Sequence, residues 1–341
     1  MKKMEKLQTW YSMKMEALLI KEKYEKLLAD YPNCYDDFFI KIDTAPRSEI
    51  YIGITQTRTL FFMFKAGELC NVEMLKETAG YRIKLTPYQD DFTSTKCVIE
   101  AKDKNSYEVF YVVVEDLIRV SSTEIPFPYD IAITKRLFMW EKFFKHTSPD
   151  NFTIQNQIGL FGELLFIEEQ ISKGRAYIIE SWSGPDRATK DFIIEDNAVE
   201  IKTSSISSTN RVSISDENQL DESGFSHLYL NVRIIQQNQM NGRNLTELID
   251  CIKMEISGDE YLLTIFNEKL IQSGFIENFK DKYVIQYEDI SSSWYEVKNS
   301  RSKFFPRIIP SDLRNGVKFV KYQIELSDLE DFRISDIDAI L

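Results

Sequence analysis

Apolar residues recur at helical spacing in several stretches of the chain, and each stretch predicts an α-helix with one buried face. The first helix should stop at Asp30-Tyr31-Pro32, because proline cannot continue the helical hydrogen-bond ladder. The helix that begins at residue 154 has an apolar arc that includes Leu160, Phe161 and Leu164. The predicted helices span residues 4–30, 131–145, 154–172, 244–257 and 259–272.

Short apolar or alternating runs between polar turns predict β-strands. The first group of strands gives a mostly antiparallel β-rich domain over 35–128, which ends at the cluster Pro126-Phe127-Pro128. Its strands are predicted at 49–54, 59–64, 81–85, 97–101 and 107–114. Later strands are predicted at 176–180, in a hairpin over 191–202, and at 228–235, 283–287 and 317–326.

These elements predict an α+β protein with four segments. An N-terminal helix occupies 1–34, the β-rich domain 35–128, a mixed core 129–240 and an α/β extension 241–341. From 154 to 257 the predicted order is a helix, three strands, a turn, a strand and a helix.

Composition narrows the class of protein. The 341 residues carry a formal net charge of −12 and are 43% hydrophobic, which indicates a globular chain with sizeable cores. No apolar run approaches the roughly 18 residues that span a bilayer. The N-terminus is charged and amphipathic, unlike a signal peptide. We therefore expect a soluble, cytoplasmic protein that does not contact a membrane.

The shortage of histidine and paired cysteine excludes several kinds of site. The two histidines, His146 and His227, are far apart, and the four cysteines include no C-x-x-C pair. Zinc enzymes and two-histidine iron sites need clustered ligands of these types. Neither a phosphate-binding P-loop nor a G-x-G-x-x-G motif occurs. Any chemistry should therefore depend on carboxylates, lysine and a divalent metal.

The hairpin over 191–202 has the arrangement that such chemistry needs. Glu200 and Lys202 are two residues apart on one strand, so their side chains should share a face. If Asp196-Asn197 forms a two-residue turn, Asp191 pairs with Lys202 and joins that face. The opposite face would be uniformly apolar. Carboxylates beside a lysine suit phosphodiester hydrolysis with Mg²⁺, the lysine positioning the attacking water.

The pattern alone leaves alternatives open. Asp91, Glu100 and Lys102 repeat the same spacing. An amphipathic helix that carries Glu163 precedes Asp191, whereas no such helix precedes Asp91. A plain amphipathic hairpin with charges on its surface would also give this pattern. Asp186 could simply form a turn after Pro185, and Trp182 could be a core or loop anchor.

The runs GLFGELLFIEE, WSGP, DF, VEIKTSS and ENQL resemble a family of bacterial proteins grouped in the PD-(D/E)XK nuclease superfamily and often found beside restriction or phage-defence genes. The resemblance is firmest over 155–225. It implies a restriction-endonuclease-like αβββαβ core, with Asp191 and Glu200 as metal ligands and Lys202 activating or positioning water. Glu163 would be a further carboxylate ligand. Gln219 matches a position near the site and is a proposed nucleic-acid contact, although it could equally cap or pack. In a departure from the motif's name, the literal Pro-Asp is Pro185-Asp186.

The resemblance implies a Mg²⁺-dependent DNA endonuclease of a restriction or phage-defence system, in which Mn²⁺ could replace Mg²⁺. We expect double-stranded DNA as its partner and leave open a homodimer and methyltransferase or ATPase partners. One rival reading is a non-catalytic DNA-binding or assembly subunit with the same fold. Another is an RNA or nucleotide hydrolase that uses the same site.

A basic segment over 298–321 is the predicted DNA contact of this otherwise acidic chain. It contains seven Lys and Arg residues against one acid, Asp312, and the following twenty residues reverse that balance. Arg301, Lys303 and Arg307 are the proposed contacts to phosphates. The alternative is a solvated loop whose cations pair with the acidic tail.

Overall fold

The computed structural model divides the chain into two units by its contacts, Met1–Asn151 and Phe152–Leu341. The predicted division into four segments stays a prediction. The structure describes residues 20–32, 35–42, 49–78, 80–88, 91–122, 128–146, 152–186, 188–206, 210–299, 303–335 and 337. The first part of the predicted N-terminal helix and the boundary at Pro126-Phe127 lie outside these residues.

The first unit is built on an antiparallel sheet. A helix over residues 20–30, here α1, ends before Tyr31-Pro32 as predicted. Five strands then form one sheet in the order β1-β2-β3-β5-β4. These strands are β1 (Phe38–Lys41), β2 (Ile50–Ile54), β3 (Leu60–Ala66), β4 (Tyr81–Tyr88) and β5 (Asp91–Ala101).

Two helices follow, α2 (Tyr107–Ser122) and α3 (Tyr129–His146). The strand predicted at 107–114 is therefore wrong, whereas the helix predicted at 131–145 is confirmed. The Asp103 side chain accepts hydrogen bonds from the backbone N–H groups of Asn105 and Ser106, which starts a helical turn just before α2. The buried residues Phe110, Val113, Val114 and Leu117 then follow helical spacing, which a short apolar run conceals.

The second unit begins with α4 (Ile154–Ser172), at the predicted bounds. The strand predicted at 176–180 is wrong, because α5 (Ile178–Ser181) occupies this place. Ile178 and Ile179 are adjacent and both buried, whereas a half-buried strand buries alternate residues. Helices α6 (Leu245–Glu255) and α7 (Glu260–Gln272) agree with the predicted helices.

The strands of the second unit are β6 (Phe192–Ile194), β7 (Asn197–Ser205), β8 (Arg211–Ile214), β9 (His227–Gln237), β10 (Tyr287–Glu296), β11 (Tyr322–Glu325) and β12 (Arg333–Ile334). They form two sheets. One is a mixed sheet in the order β12-β10-β9-β7-β6, in which β7 and β9 run parallel, and the other is the antiparallel pair β8 and β11.

Two predicted strands differ from the structure in this unit. The strand predicted at 283–287 is displaced to β10. The strand predicted at 317–326 is shorter, because Phe319 has a φ of 60°, which interrupts extended backbone.

Strand β7 lies between two hydrophobic clusters. Val199 and Ile201 belong to the cluster that also holds the apolar side of α4 and α6. Ala198 points the other way, into the cluster that includes residues of β8 and β11. Residues 198–201 of β7 are therefore buried between the two clusters. The helices and sheets together confirm the α+β class predicted from the sequence.

Candidate active site

Asp191 is fixed from both sides at the start of the β6–β7 hairpin. Its backbone oxygen accepts hydrogen bonds from the N–H groups of Ser183 and Gly184, at 2.8 and 2.9 Å. Its side-chain Oδ2 accepts the N–H of Ile201 on β7, at 2.7 Å. The carboxyl group is thus held against β7 by the backbone.

The hairpin turn lies one residue earlier than predicted. Ile194 pairs with Asn197 and Phe192 with Val199, so Glu195 and Asp196 form the turn, and Glu195 has a φ of 53°. The predicted pairing of Asp191 with Lys202 is therefore wrong, and the observed register continued by one residue places Asp191 opposite Glu200.

The predicted separation of faces survives this shift. Moving the turn by one residue changes each pairing by two positions, and a strand's side chains alternate with a period of two. Phe192, Ile194, Val199 and Ile201 are accordingly all buried on the apolar face. Asp191, Glu200 and Lys202 keep the common face expected from the sequence.

Glu200 and Lys202 form a partly buried ion pair on β7. The Nζ of Lys202 donates to Oε1 of Glu200 at 2.6 Å. The Glu200 residue is only 1% exposed, and its Oε2 is a buried oxygen without a hydrogen-bond partner among the described residues. Buried carboxylate oxygens are normally satisfied, so this atom is suited to a ligand.

Glu163 approaches the hairpin from α4. Its Oε2 accepts the indole N–H of Trp182 at 2.6 Å. A Cβ atom placed on Gly184 would lie 3.2 Å from Glu163 Oε2 and 3.3 Å from Asp191 Oδ1. Glycine at this position therefore leaves space beside the carboxyl groups of Glu163 and Asp191. The glycine of the WSGP run thus allows both groups to approach the site.

Helix α4 lies close enough to place Glu163 at the site because of a second close contact, between Gly162 and β7. A Cβ atom on Gly162 would lie 1.8 Å from Thr203 Oγ1 on β7. Only glycine permits this approach of helix to strand, which brings the neighbouring Glu163 to the site. The buried Thr203 hydroxyl has no hydrogen-bond partner within the described part of the chain.

Burial and mutual repulsion disfavour the ionised forms of the three carboxyl groups. Burial, followed by repulsion from Asp191, raises the pKa of Glu163 well above its ordinary value and that of Glu200 to about 8. Burial also raises the pKa of Asp191, opposed by the ammonium of Lys202. Burial would lower the pKa of Lys202, but the carboxylates of Glu200 and Asp191 outweigh it and raise that pKa. A divalent cation between these groups would favour their ionised forms and so oppose the upward pKa shifts.

The carboxylate oxygens of the site suit a hard divalent ion, although they do not form a complete coordination sphere by themselves. Across the residues that the structure describes, no group of three or more His, Cys, Asp or Glu side chains is arranged to hold a metal. Carboxylate oxygens are the ligands that Mg²⁺ prefers, and it commonly uses one or two of them together with water and substrate phosphates. Asp191, Glu163 and Glu200, whose Oε2 has no hydrogen-bond partner in the described ranges, are the residues that would hold it.

Three other acidic residues, Asp186, Glu168 and Glu100, lie in different surroundings. Asp186 is exposed, and its Oδ2 lies 3.7 Å from Nζ of Lys269. Glu168 makes a two-pronged ion pair with Arg243, at 2.6 and 2.7 Å. Glu100, from the competing motif, bonds to Lys84 at 2.6 Å.

Sequence reasoning missed Lys190, which is 1% exposed beside Asp191. Its Nζ donates to the backbone oxygens of Asn218 and Gln219, at 2.5 and 2.8 Å. Burial lowers the pKa of this ammonium to about 8. The lysine ties the turn around Gln219 to the site, and no local pattern could show this, because its partners are 28 and 29 residues away.

A cleft of about 920 Å³ opens beside the carboxylates. Glu163, Asp191 and Lys202 line one part of it, and Gln219 another. The Oε1 of Gln219 accepts the N–H of Ser215 at 2.9 Å. The cleft thus joins the hairpin, α4 and the turn held by Lys190.

The basic segment is more engaged with the protein than its sequence suggested. Arg301 lies outside the described residues, and Lys303 pairs with Asp331 of the acidic tail. Arg307 has a side chain that is 4% exposed, and it bonds to the Leu220 oxygen at 2.7 Å and to Glu222. Contact of these three residues with nucleic acid stays a prediction.

Comparison with known protein families shows which family the chain belongs to. Residues 20–327 match the family described as "Putative PD-(D/E)XK family member (DUF4420)". The match covers most of the chain, so the protein belongs to this family, and the resemblance seen in the sequence is confirmed. Membership suggests a nuclease-like function. Comparisons with curated proteins and with solved structures found no match.

Among the described helices, none is both long and apolar enough to cross a membrane.

Proposed function

We propose that the protein hydrolyses phosphodiester bonds in double-stranded DNA with the help of Mg²⁺, which Mn²⁺ could replace. The observation that supports this most strongly is the meeting of Glu163, Asp191, Glu200 and Lys202, of which Glu163, Asp191 and Lys202 line the cleft and Glu200 is buried beside them. These residues come from α4, from the loop before β6 and from β7, yet their carboxyl groups perturb one another's pKa values. A surface hairpin with independent charges would not show such mutual effects.

Each residue has a role that follows from its contacts. Asp191 is held by the Ile201 N–H and offers Oδ1, and Glu200 offers the buried Oε2. A divalent ion held by these groups would supply Lewis-acid stabilisation of the phosphodiester oxygens. Lys202 uses one of its three N–H donors on Glu200 and can orient water or a phosphate oxygen with another.

Glu163 completes the set as a supporting carboxylate. The Trp182 indole fixes one of its oxygens, so its orientation does not depend on the ligand. Lys190 is a positioning residue in this scheme, because it joins the turn around Gln219 to the carboxylates.

The cellular setting is supported by the resemblance of the motif-bearing segments to proteins of restriction and phage-defence loci. We therefore propose a cytoplasmic endonuclease of such a system, acting beside methyltransferase or ATPase partners. Cutting both strands requires two attacks, which a homodimer would supply.

The experiment is incubation of purified protein with methylated and unmethylated plasmid, in Mg²⁺ or in EDTA. We expect cleavage in Mg²⁺ that EDTA abolishes. Asp191→Asn, purified identically, should be inactive and thereby exclude a contaminating nuclease. Duplex binding without cleavage of either plasmid would favour the rival reading, a non-catalytic DNA-binding subunit, and cleavage of RNA alone would contradict DNA as the substrate.

A further inference from the structure

Strands β8 and β11 form a two-stranded ribbon with one apolar and one polar face. Ser213 pairs with Gln323 and Arg211 with Glu325, so these four side chains share a face. The alternate residues, among them Val212, Ile214 and Ile324, are buried in the hydrophobic cluster shared with β9. The polar face is therefore fixed in orientation by the core beneath it.

This polar face and the carboxylate site line the same cleft. Arg211, Ser213, Gln323 and Glu325 line the cleft that also contains Asp191. A nucleic acid placed for attack beside Asp191 would thus lie against the ribbon. Continuity with the proposed catalytic site is the first reason to regard the ribbon as a binding surface.

The chemistry of the face suits base edges better than phosphates. Its single cation, Arg211, is paired with Glu325 across the strands, Nε to Oε1, at 2.6 Å. Gln323 Nε2 donates to Ser213 Oγ at 3.1 Å, which pre-orients a side-chain amide. Neutralisation of phosphate charge depends on Lys and Arg, and Arg211 is already paired. Arg, Gln and Glu can pair with the edges of guanine, adenine and cytosine, whereas Ser can contact any base.

The shape of the element agrees with that chemistry. The major groove of B-form DNA admits a two-stranded β-ribbon, and base-reading ribbons of this kind place polar side chains in the groove. The two cross-strand pairs present hydrogen-bond donors and acceptors from a rigid backbone.

We propose that the β8–β11 ribbon is the specificity-determining element of this protein and that Arg211, Ser213, Gln323 and Glu325 contact base edges of duplex DNA. The proposal rests on the proposed function, because it takes the carboxylate site as the place where the duplex is held. It adds a substrate property, preference for particular base pairs, that the carboxylate site itself does not provide.

The test is selection of duplexes from a randomised DNA pool by the full-length protein in EDTA, followed by sequencing of the bound fraction. The wild-type protein should enrich a motif. Ser213→Ala combined with Gln323→Ala should relax the preference at one or two positions by roughly 5- to 150-fold, the range for a good base contact. Both residues are exposed, so the double variant should fold.

Gln236→Ala is the matched control, since Gln236 is an exposed glutamine on β9 that does not line the cleft. It should leave the motif unchanged. Binding of the double variant to bulk DNA should stay within about twofold of wild type, with an unchanged salt slope, because no phosphate contact is removed.

The outcomes separate this proposal from the nuclease activity. A motif that is identical in wild type and double variant, or the absence of any motif, would overturn the ribbon's role even if the plasmid is cut in Mg²⁺. Preferential binding of RNA over duplex DNA would also overturn it. A motif that changes in the double variant supports the ribbon's role even if no cleavage occurs.

Discussion

Glu200 shows most clearly what single residues contribute to the site. Burying a carboxylate with one unpartnered oxygen costs free energy, commonly on the order of 1–3 kcal/mol for the unsatisfied group alone. The ion pair with Lys202 offsets part of this cost. Strained electrostatics of this kind are concentrated at functional sites, which is why Glu200 is central to the account.

The two aspartates near the motif should differ in metal binding. Asp191→Asn should abolish or strongly weaken binding of Mg²⁺ or Mn²⁺ in calorimetry, because it removes a carboxylate that faces Glu163 across Gly184. Asp186→Asn is the matched control and should bind normally, since Asp186 is exposed near Lys269. The reverse order would identify the literal Pro-Asp as the ligand.

The sequence could predict that Asp191, Glu200 and Lys202 share a face, because this follows from the period of a strand. It could not predict that Trp182 bonds to Glu163, or that Lys190 holds the turn around Gln219. Those contacts join residues that are distant in sequence, and they exist only after the helices and the sheet have packed.

At the scale of elements, the contact between α4 and β7 sets the position of Glu163. Gly162→Ala would place a Cβ within 1.8 Å of Thr203 Oγ1, so we expect a loss of about 1–3 kcal/mol in the free energy of unfolding, measured with urea. Gly159→Ala is the control on the same helix. Nothing lies within 4 Å of its Cβ, and alanine there should stabilise the helix by about 0.5–1 kcal/mol. Equal effects at both positions would contradict this packing.

Helices α2 and α3 are joined by a buried charge network. Oδ2 of Asp116 accepts two hydrogen bonds, from Nε of Arg136 at 2.5 Å and from the indole Nε1 of Trp140 at 2.9 Å. Burial alone would raise the pKa of Asp116, but Arg136 and Arg119 outweigh burial and lower it to about 2. A carboxyl group whose pKa is lowered by folding stabilises the folded state at pH values above its unfolded-state pKa, which is near 4 for Asp116. This contribution disappears as the pH falls towards 2.

Asp116→Asn should therefore destabilise the first unit by about 3 kcal/mol at pH 7. The difference from wild type should shrink as the pH is lowered from about 4 towards 2. Urea unfolding of both proteins across this range provides the measurement. A difference that is constant down to pH 2 would show that the charge of Asp116 is not what stabilises the helix pair.

The two predicted strands that are helices in the structure share one physical origin. Residues 107–114 and 176–180 are short apolar runs, and such runs fit a buried helix as well as a strand. The longer periodic segment at 154–172 left no such ambiguity. The hairpin turn was misplaced by one residue, yet the faces were right, because the displacement preserved the alternation.

At the scale of the whole molecule, a net charge of −12 means that the proposed binding of DNA would depend on local positive patches. Arg314 and Lys318 are exposed in the basic segment. The carboxylate of Glu217 accepts the backbone N–H groups of Phe319 and Val320, which holds this part of the segment beside the turn of Gln219. These two cations are therefore better placed for phosphates than Arg307, which is buried.

Arg314→Ala with Lys318→Ala should weaken duplex binding regardless of sequence and reduce the slope of log K against log salt by about 0.9 for each lost contact. Binding titrations at several salt concentrations provide the measurement. Lys303→Ala is the control and should change the slope less, because Lys303 is paired with Asp331. An unchanged slope in the double variant would place the phosphate contacts elsewhere.

The central claim is that the carboxylates and Lys202 act together on one phosphodiester. Its most direct test is the single-turnover rate of duplex cleavage in Mg²⁺ for wild type, Asp191→Ala, Lys202→Ala and the double variant, with folding checked by circular dichroism. Each single variant should be slower by on the order of 100-fold or more. The double variant should be little slower than the worse single variant, because residues that act as a unit are not additive. A single variant that cleaves at the wild-type rate, or a double variant whose loss is the product of the two single losses, would contradict the claim.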